Sequence, residues 1–448
     1  MAKKVSTEKT PSTKATFSEL NDALTKISPD GAIIEDSIYA KIDEWIPTGS
    51  YILNAAMSGS LFGGMPNRRS LMFAGQQGTG KTYLAISIVR SAQALDYFPI
   101  YYDSEGSIDV DFVKKLGIDT SKFRLENVNT VEEFATLTAK LNETIADIKK
   151  SGKTPPKVMV VLDSLGNLSS TKEKADTTSG DNKRDMTKQQ AIRRTFRVIG
   201  SDFAKNGIPF IVCNHVYASI GSYIPGDTVS GGGGGLYNTS IIFVLTKSKL
   251  TDKDSEDHVK NQGIEATKIG IVVTVHPYKQ RFARPIKVQI HIPFYKKPNP
   301  FVGLEKFVTW ETCGIIRGKL LSPKDYSKLT PAEQKRCYEM VSTLEDKSGV
   351  SLAYAYPKDT ARTLVCKHLG GEVPIAELYT EKVFTQDVLT QLDENIIKKT
   401  FMLPSIESLE DLAEITVDLI DDTELGEVNL ESDELDIELG DLGLPHQD

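Results

Sequence analysis

Between Gly75 and Thr82 the chain reads Gly75, Gln76, Gln77, Gly78, Thr79, Gly80, Lys81, Thr82. Glycines at this spacing let the backbone curl until successive N–H groups point into one small volume. A lysine and a hydroxyl then follow directly. That volume suits phosphate oxygens, with the lysine reaching the outer phosphates and the hydroxyl holding Mg²⁺. Residues 69–74 before it read as a short apolar strand. Tyr83 opens a helical run to Val89 whose N-terminus would face the phosphates. An ordinary strand–turn–helix corner is the bland alternative, and the Lys-Thr ending argues against it. The pattern predicts a site for a nucleoside triphosphate and Mg²⁺ from Gly75 to Tyr83, and ATP is the nucleotide expected there.

Hydrolysis at such a cradle needs a metal-side acid, a water-orienting base and a γ-phosphate sensor. Asp163 ends the apolar run 157–163 and precedes Ser164. An acid at the end of a buried strand is costly without a cation, so Asp163 reads as the second metal-side residue beside Thr82, with a helix N-cap as the alternative. Glu105, after the strand 98–102, can accept a hydrogen bond from the attacking water; it could instead cap the next helix, with Asp103 as the active acid. His215 follows the strand 208–213 and can read the γ-phosphate, although a lone histidine is more often a satisfied surface residue.

Two long loops follow these strand ends. Residues 166–187 contain Lys172, Lys174, Lys183 and Arg184, and residues 216–236 contain Gly231, Gly232, Gly233, Gly234 and Gly235. Five glycines in a row cannot pack a core, and ordering them costs unusual entropy. A basic, mobile two-loop surface beside a nucleotide sensor suggests a nucleic-acid site; solvated lids over the nucleotide are the alternative.

The elements that must position these residues alternate strictly. Strands at 69–74, 98–102, 124–128, 157–163 and 208–213 are separated by helices at 83–89, 108–116, 131–149 and 188–205. This alternation predicts an α/β fold with a mainly parallel central sheet flanked by helices. Strands at 241–245, 269–275 and 286–292 extend it. Before the core, residues 17–27 make a short amphipathic helix that could dock on a neighbouring subunit or fold back on its own domain. Beyond it, residues 330–344 and 383–398 carry helical patterns, so a small, mainly helical second region is expected.

Composition narrows the class. The 448 residues carry a net charge of −8, but 16 acids and no Lys or Arg fall in 405–448. Taking those sixteen charges away leaves +8 on residues 1–404, a basic body with an acidic tail. Such a body suits a polyanionic partner, and the tail either competes for the same surface or only solubilises. No apolar run approaches a membrane span, and the start lacks a secretory h-region. The four cysteines form no C-x-x-C pair, so a reducing, cytoplasmic setting is expected.

Together the cradle, Asp103-Ser104-Glu105, Leu162-Asp163-Ser164, Asn214-His215 and the Gly-rich loop resemble the RecA-type recombinases. Asp163 to Leu168, Asp185-Met186-Thr187 and Asn214 to Tyr217 are most similar to the phage UvsX branch. The resemblance covers residues 45–315. It implies a RecA-like P-loop ATPase that forms a helical filament on single-stranded DNA, pairs it with homologous duplex and exchanges strands. Mediator and single-strand-binding proteins are implied as further partners, and a phage origin would make the compartment the host cytoplasm. It also implies Glu105 as catalytic base, His215 as γ-phosphate sensor, and the two loops as DNA-binding loops. Asp109 and Phe112 fall where the family contacts adenine. Lys279 and Arg281, with Arg284 as a fallback, fall where it presents cations to a neighbour's ATP. The expected division is an arm at 1–44, an ATPase core at 45–318, a small domain at 319–404 and the tail from 405. A hexameric helicase shares this core but usually has a separate N-terminal domain. A non-hydrolysing, nucleotide-gated adaptor would have no need of Lys81, Thr82, Glu105 and Asp163 together.

Overall fold

The computed structural model describes residues 16–28, 31–37, 39–179, 187–218, 227–229, 238–251, 269–339 and 352–404. A short antiparallel pair, β1 (Trp45–Ile46) and β2 (Met65–Pro66), brackets helix α2 (Tyr51–Ser58) and leads into the main sheet. That sheet contains β3 (Ser70–Gly75), β4 (Tyr97–Asp103), β5 (Arg124–Asn127), β6 (Lys157–Asp163), β7 (Phe210–Asn214), β10 (Ile241–Leu250), β11 (Gly270–Lys279) and β12 (Val288–Pro293). Their spatial order is β12-β11-β10-β3-β7-β6-β4-β5. Strands β3 to β7 and β10 run parallel, whereas β11 runs against both β10 and β12.

The central strands read as unbroken apolar runs because both faces are covered. From Val158 to Asp163 every residue of β6 is buried. Side chains of β3 alternate between two cores, as a period of two requires: Leu71 and Phe73 join one, Met72 and Ala74 the other. The first core packs α2 and α3 (Lys81–Ala94) under the sheet. The second packs α5 (Val131–Lys150) and α7 (Thr187–Asn206), where Phe134, Phe196 and Phe203 surround Phe210. Helix α5 starts cleanly because the Thr130 hydroxyl accepts from Glu133 N and the Glu133 carboxylate accepts from Asn129 N.

Helix α1 (Phe17–Ile27) forms where its pattern predicts, with a capping box between Thr16 and Glu19. None of its residues is buried, and Phe17, Leu20, Leu24 and Ile27 stay exposed.

The region after the core differs from the expectation of a mainly helical domain. It holds an antiparallel five-stranded sheet of β13 (Ile315–Leu321), β14 (Tyr338–Glu339), β15 (Tyr354–Pro357), β16 (Thr363–Cys366) and β17 (Gly371–Pro374), ordered β14-β15-β13-β16-β17. Strands β14 to β17, of two to four residues, carry too few to show a clear period of two, while their β-branched and aromatic content suits a pleated surface. The helix expected over 330–344 is only Pro331–Lys335 before β14 begins; residues 340–351 lie outside the described residues. β13 also crosses the expected boundary at residue 318.

The last helical stretch, from Gln386 to Phe401, returns to the main-sheet core. Phe384 stacks on Phe301 at 5.2 Å and Phe401 meets Phe307 edge-on at 5.8 Å. Asp393, 1% exposed, accepts from Ser60 Oγ at 2.8 Å and from Leu61 N at 2.7 Å, with Lys398 Nζ at 3.7 Å. Asp393→Ala leaves a buried amide and a hydroxyl without an acceptor. It should cost about 3 kcal/mol in urea unfolding; a loss under about 1 kcal/mol would mean that this tie is dispensable.

Candidate nucleotide-hydrolysis site

Parallel strands end at one edge, so the loops after β3, β4, β6 and β7 converge there. The cradle leaves β3 at Gly75 and enters α3 at Lys81, with Gly80 at φ +90° as the N-cap. At φ +90° Gly80 holds a left-handed conformation that side-chain-bearing residues rarely adopt, and a Cβ there would also press on Ile292 Cδ1 of β12 at 2.6 Å. Lys81 is 7% exposed, and its Nζ donates to Gly75 O at 2.9 Å and Gln76 O at 3.1 Å. Burial pulls its ammonium below the ordinary lysine range, against the attraction of Asp163 and Glu105.

Asp163 sits level with Asp103 of β4 and Cys213 of β7. Its Oδ2 accepts from Thr82 Oγ1 at 2.6 Å and from Tyr101 OH at 2.6 Å. Burial raises its carboxyl above the usual aspartate value even though both hydroxyls favour the ionised form. The N-cap alternative is set aside, since Asp163 accepts from no helix amide. A buried carboxylate beside a threonine hydroxyl, next to phosphate-directed amides, fits Mg²⁺. This hard cation takes one or two protein oxygens and completes its shell with phosphate and water. Among the described residues, no group of three or more His, Cys, Asp or Glu side chains could hold a metal by itself.

Asp103 and Glu105 divide the labour left open by sequence. Asp103, 3% exposed, accepts from Glu105 N and Gly106 N at 2.9 Å and from Ile108 N at 3.2 Å. Its carboxylate thus shapes the loop. Glu105 is presented to the site, where Oε1 accepts from Ser164 Oγ at 2.6 Å and meets His215 Nε2 at 2.9 Å. Burial would raise the Glu105 carboxyl, but the Ser164 hydroxyl, the His215 ring and the Lys81 charge outweigh it and hold it below the usual glutamate range. Ser104 ties the two strand ends together, donating to Ser164 O and accepting from Ser164 N, both at 2.8 Å. A Cβ on Gly166 would lie 3.1 Å from the His215 ring and 3.3 Å from Asn214 Oδ1, so the segment after β6 rests on the residues that open the segment after β7.

Residues 19–296 match the RecA N-terminal domain family. The chain belongs to that family. It is 30% identical over 279 residues to the recombination and repair protein of Enterobacteria phage T4, covering 59% of this chain and 68% of that one. Protein RecA of Mycobacterium sp. (strain KMS) is 28% identical over 238 residues, and that of Treponema denticola 26% over 267. These matches cover 52% and 58% of this chain but only 63% and 58% of the two RecA proteins.

Within this RecA-family chain the remaining expected residues fall in separate places. Asp109 caps helix α4 (Val110–Lys115), its Oδ2 accepting from Phe112 N at 2.9 Å; Phe112 is half-buried against the core that also receives Tyr83. Lys279 ends β11 opposite Ile242, at the other edge of the sheet from the cradle. Gln280 then bonds Ala56 O and accepts from Arg281 N and Phe282 N, turning the chain. Arg281 reaches a cavity of about 340 Å³ lined by Arg69, Arg197 and Ser70. Ser70 begins β3, five residues or about 16 Å before Gly75. Arg284 lies beside the last helix, its N–H donating to Phe401 O. Lys279 and Arg281 therefore lie toward the end of the sheet away from their own chain's cradle.

Residues 166–187, expected as an open loop, carry helix α6 (Thr171–Ser179) with Lys172 and Lys174 exposed on it. Residues 216–236 begin as a hairpin of β8 (Val216–Ala218) and β9 (Asp227–Val229). Lys183, Arg184, Gly231 to Gly235 and the acidic tail lie outside the described residues. Among the described residues no helix is long and apolar enough to cross a membrane.

Sequence reasoning missed Tyr101, although a phenol in a buried strand signals a needed partner. It also missed Lys247 of β10, whose Nζ donates to Gln77 O at 2.6 Å. That strand was expected to stop at Leu245 and instead runs five residues further. Because the folded carboxyl of Asp163 lies above its unfolded value, its contribution favours folding below pH 3.8 and is lost as pH rises through the folded value. Asp163→Asn should therefore raise the Tm of the nucleotide-free protein at pH 7 by about 2 °C or more, with a smaller gain near pH 4. A Tm lowered at both pH values would mean that the carboxylate stabilises the fold.

Proposed function

We propose that the chain is an ATP-dependent, DNA-stimulated recombinase that assembles as a filament on single-stranded DNA, pairs it with homologous duplex and exchanges strands. The observation that carries this reading is the meeting of Glu105, Ser164 and His215 at the strand edge that also bears the cradle and the two loops. Lys81 and the cradle amides bind the phosphates, and Thr82 with Asp163 holds Mg²⁺. When bound, the metal neutralises developing charge on the transferred phosphate. Glu105, ionised at neutral pH, orients the attacking water by accepting its proton in a hydrogen bond. His215 shares Glu105 Oε1, so a shift of either residue is felt at Gly166 and at Val216, where the two loops begin. Nucleotide state would thereby set how those loops grip DNA. The cations at Lys279 and Arg281 act on a neighbour's ATP, and the exposed apolar face of α1 docks on an adjacent copy.

ATP turnover with and without single-stranded DNA, scored beside joint-molecule formation, tests this reading. Wild type should show DNA-stimulated turnover and pairing; strand separation without pairing would favour a helicase instead. Glu105→Gln should lose turnover by about 10²–10⁴-fold while retaining ATP-dependent DNA binding. Turnover within a few-fold of wild type would remove Glu105 from the base role.

A further inference from the structure

Strand β10 lies beside β3 in parallel register, with Leu245 opposite Gly75. Two residues further on along β10, beyond the last paired position, Lys247 reaches the cradle. Its Nζ donates to Gln77 O at 2.6 Å, while Lys81 holds the Gly75 and Gln76 carbonyls. The next residue, Gly78, has φ +73°, and a Cβ there would lie 2.8 Å from the same Nζ. Two independent features of the loop, a carbonyl acceptor and a left-handed glycine without a side chain, thus accommodate this ammonium. Its charge is also felt inside the site, where it opposes protonation of Lys81.

A trans peptide directs its N–H away from its carbonyl. With the Gln77 carbonyl held by Lys247, the N–H of Gly78 faces the opposite way, away from β10. Glu105, Asp163 and His215 lie on the other flank of β3, at or just beyond the ends of β4, β6 and β7. We infer that Lys247 is a positioning residue of the phosphate cradle, fixing the Gln77–Gly78 peptide so that its amide is set toward the phosphates before nucleotide arrives. This deepens the triphosphate-site reading and rests on it. Unlike Lys279 and Arg281, Lys247 serves the cradle of its own chain, so its effect is present in the unassembled protein.

Binding of Mg²⁺–ATP and Mg²⁺–ADP to the full-length protein without DNA tests this, together with Tm in the absence of nucleotide. Lys247→Gln should weaken both nucleotides about tenfold, with Lys247→Arg restoring most of the loss because it keeps a donor. Lys249→Gln, which removes the same charge two residues along β10, should bind as wild type. The nucleotide-free Tm should be the same for all four proteins. Wild-type affinity in Lys247→Gln, or an equal loss in Lys249→Gln, overturns the assignment while leaving the triphosphate site standing. A nucleotide-free Tm lowered in parallel with affinity also overturns it, since Lys247 would then be supporting the fold. Absence of ATP binding in wild type itself would overturn the site and this inference together.

Discussion

Strand direction is the constraint on which the rest of this molecule depends. Four parallel strands, β3, β4, β6 and β7, deliver the cradle, Glu105, Asp163 and His215 to one edge of the sheet. β11 runs the other way, so Lys279 and Arg281 emerge at the opposite edge. No side-chain rotation bridges that separation. On the proposed reading, a chain built this way holds the cradle, Glu105, Asp163 and His215 at one end and the cations meant for a neighbour at the other. In the proposed assembly, head-to-tail association would bring the two ends together, an arrangement that propagates rather than closing into a pair.

Within the edge, two carboxylates at neighbouring strand ends are driven apart in acidity by their surroundings. Asp163 is buried and raised; Glu105 is more open, bonded to Ser164 and His215, and lowered. The first is costly to the free protein and suited to a cation. The second is ready to accept a hydrogen bond from water. Divergent environments of this kind separate metal-holding from base chemistry on one fold. Asp103, the third acid of the cluster, is held by loop amides and keeps Glu105 in place.

Much of this was legible in sequence because it depends on local pattern. Glycine spacing marks the cradle, and the unbroken run from Val158 to Leu162 marks a strand buried on both faces. An acid at its end marks the metal side. What stayed hidden depends on pairing across the chain. Lys247 becomes part of the cradle only through the register of β10 against β3, which no local pattern encodes. Asp103 and Glu105, two residues apart, differ only in which amides and hydroxyls they meet. The C-terminal sheet was read as helical because strands such as Thr363–Cys366 are shorter than the window in which periodicity can be judged. Helix α6 was missed because its residues are polar and show no apolar face.

The central claim is that hydrolysis requires a cradle from one subunit and cations from the next. Mixing two inactive variants tests it most directly: Lys81→Ala, which lacks a working cradle, and Lys279→Ala/Arg281→Ala, which lacks the donated charge. On single-stranded DNA, equal amounts mixed at random should create intact composite sites at about one interface in four, since each neighbour pair is heterologous. The account predicts DNA-stimulated ATP turnover near that fraction of wild type, although each variant alone is inactive. A mixture as inactive as its components, with both variants still binding DNA together, would contradict it.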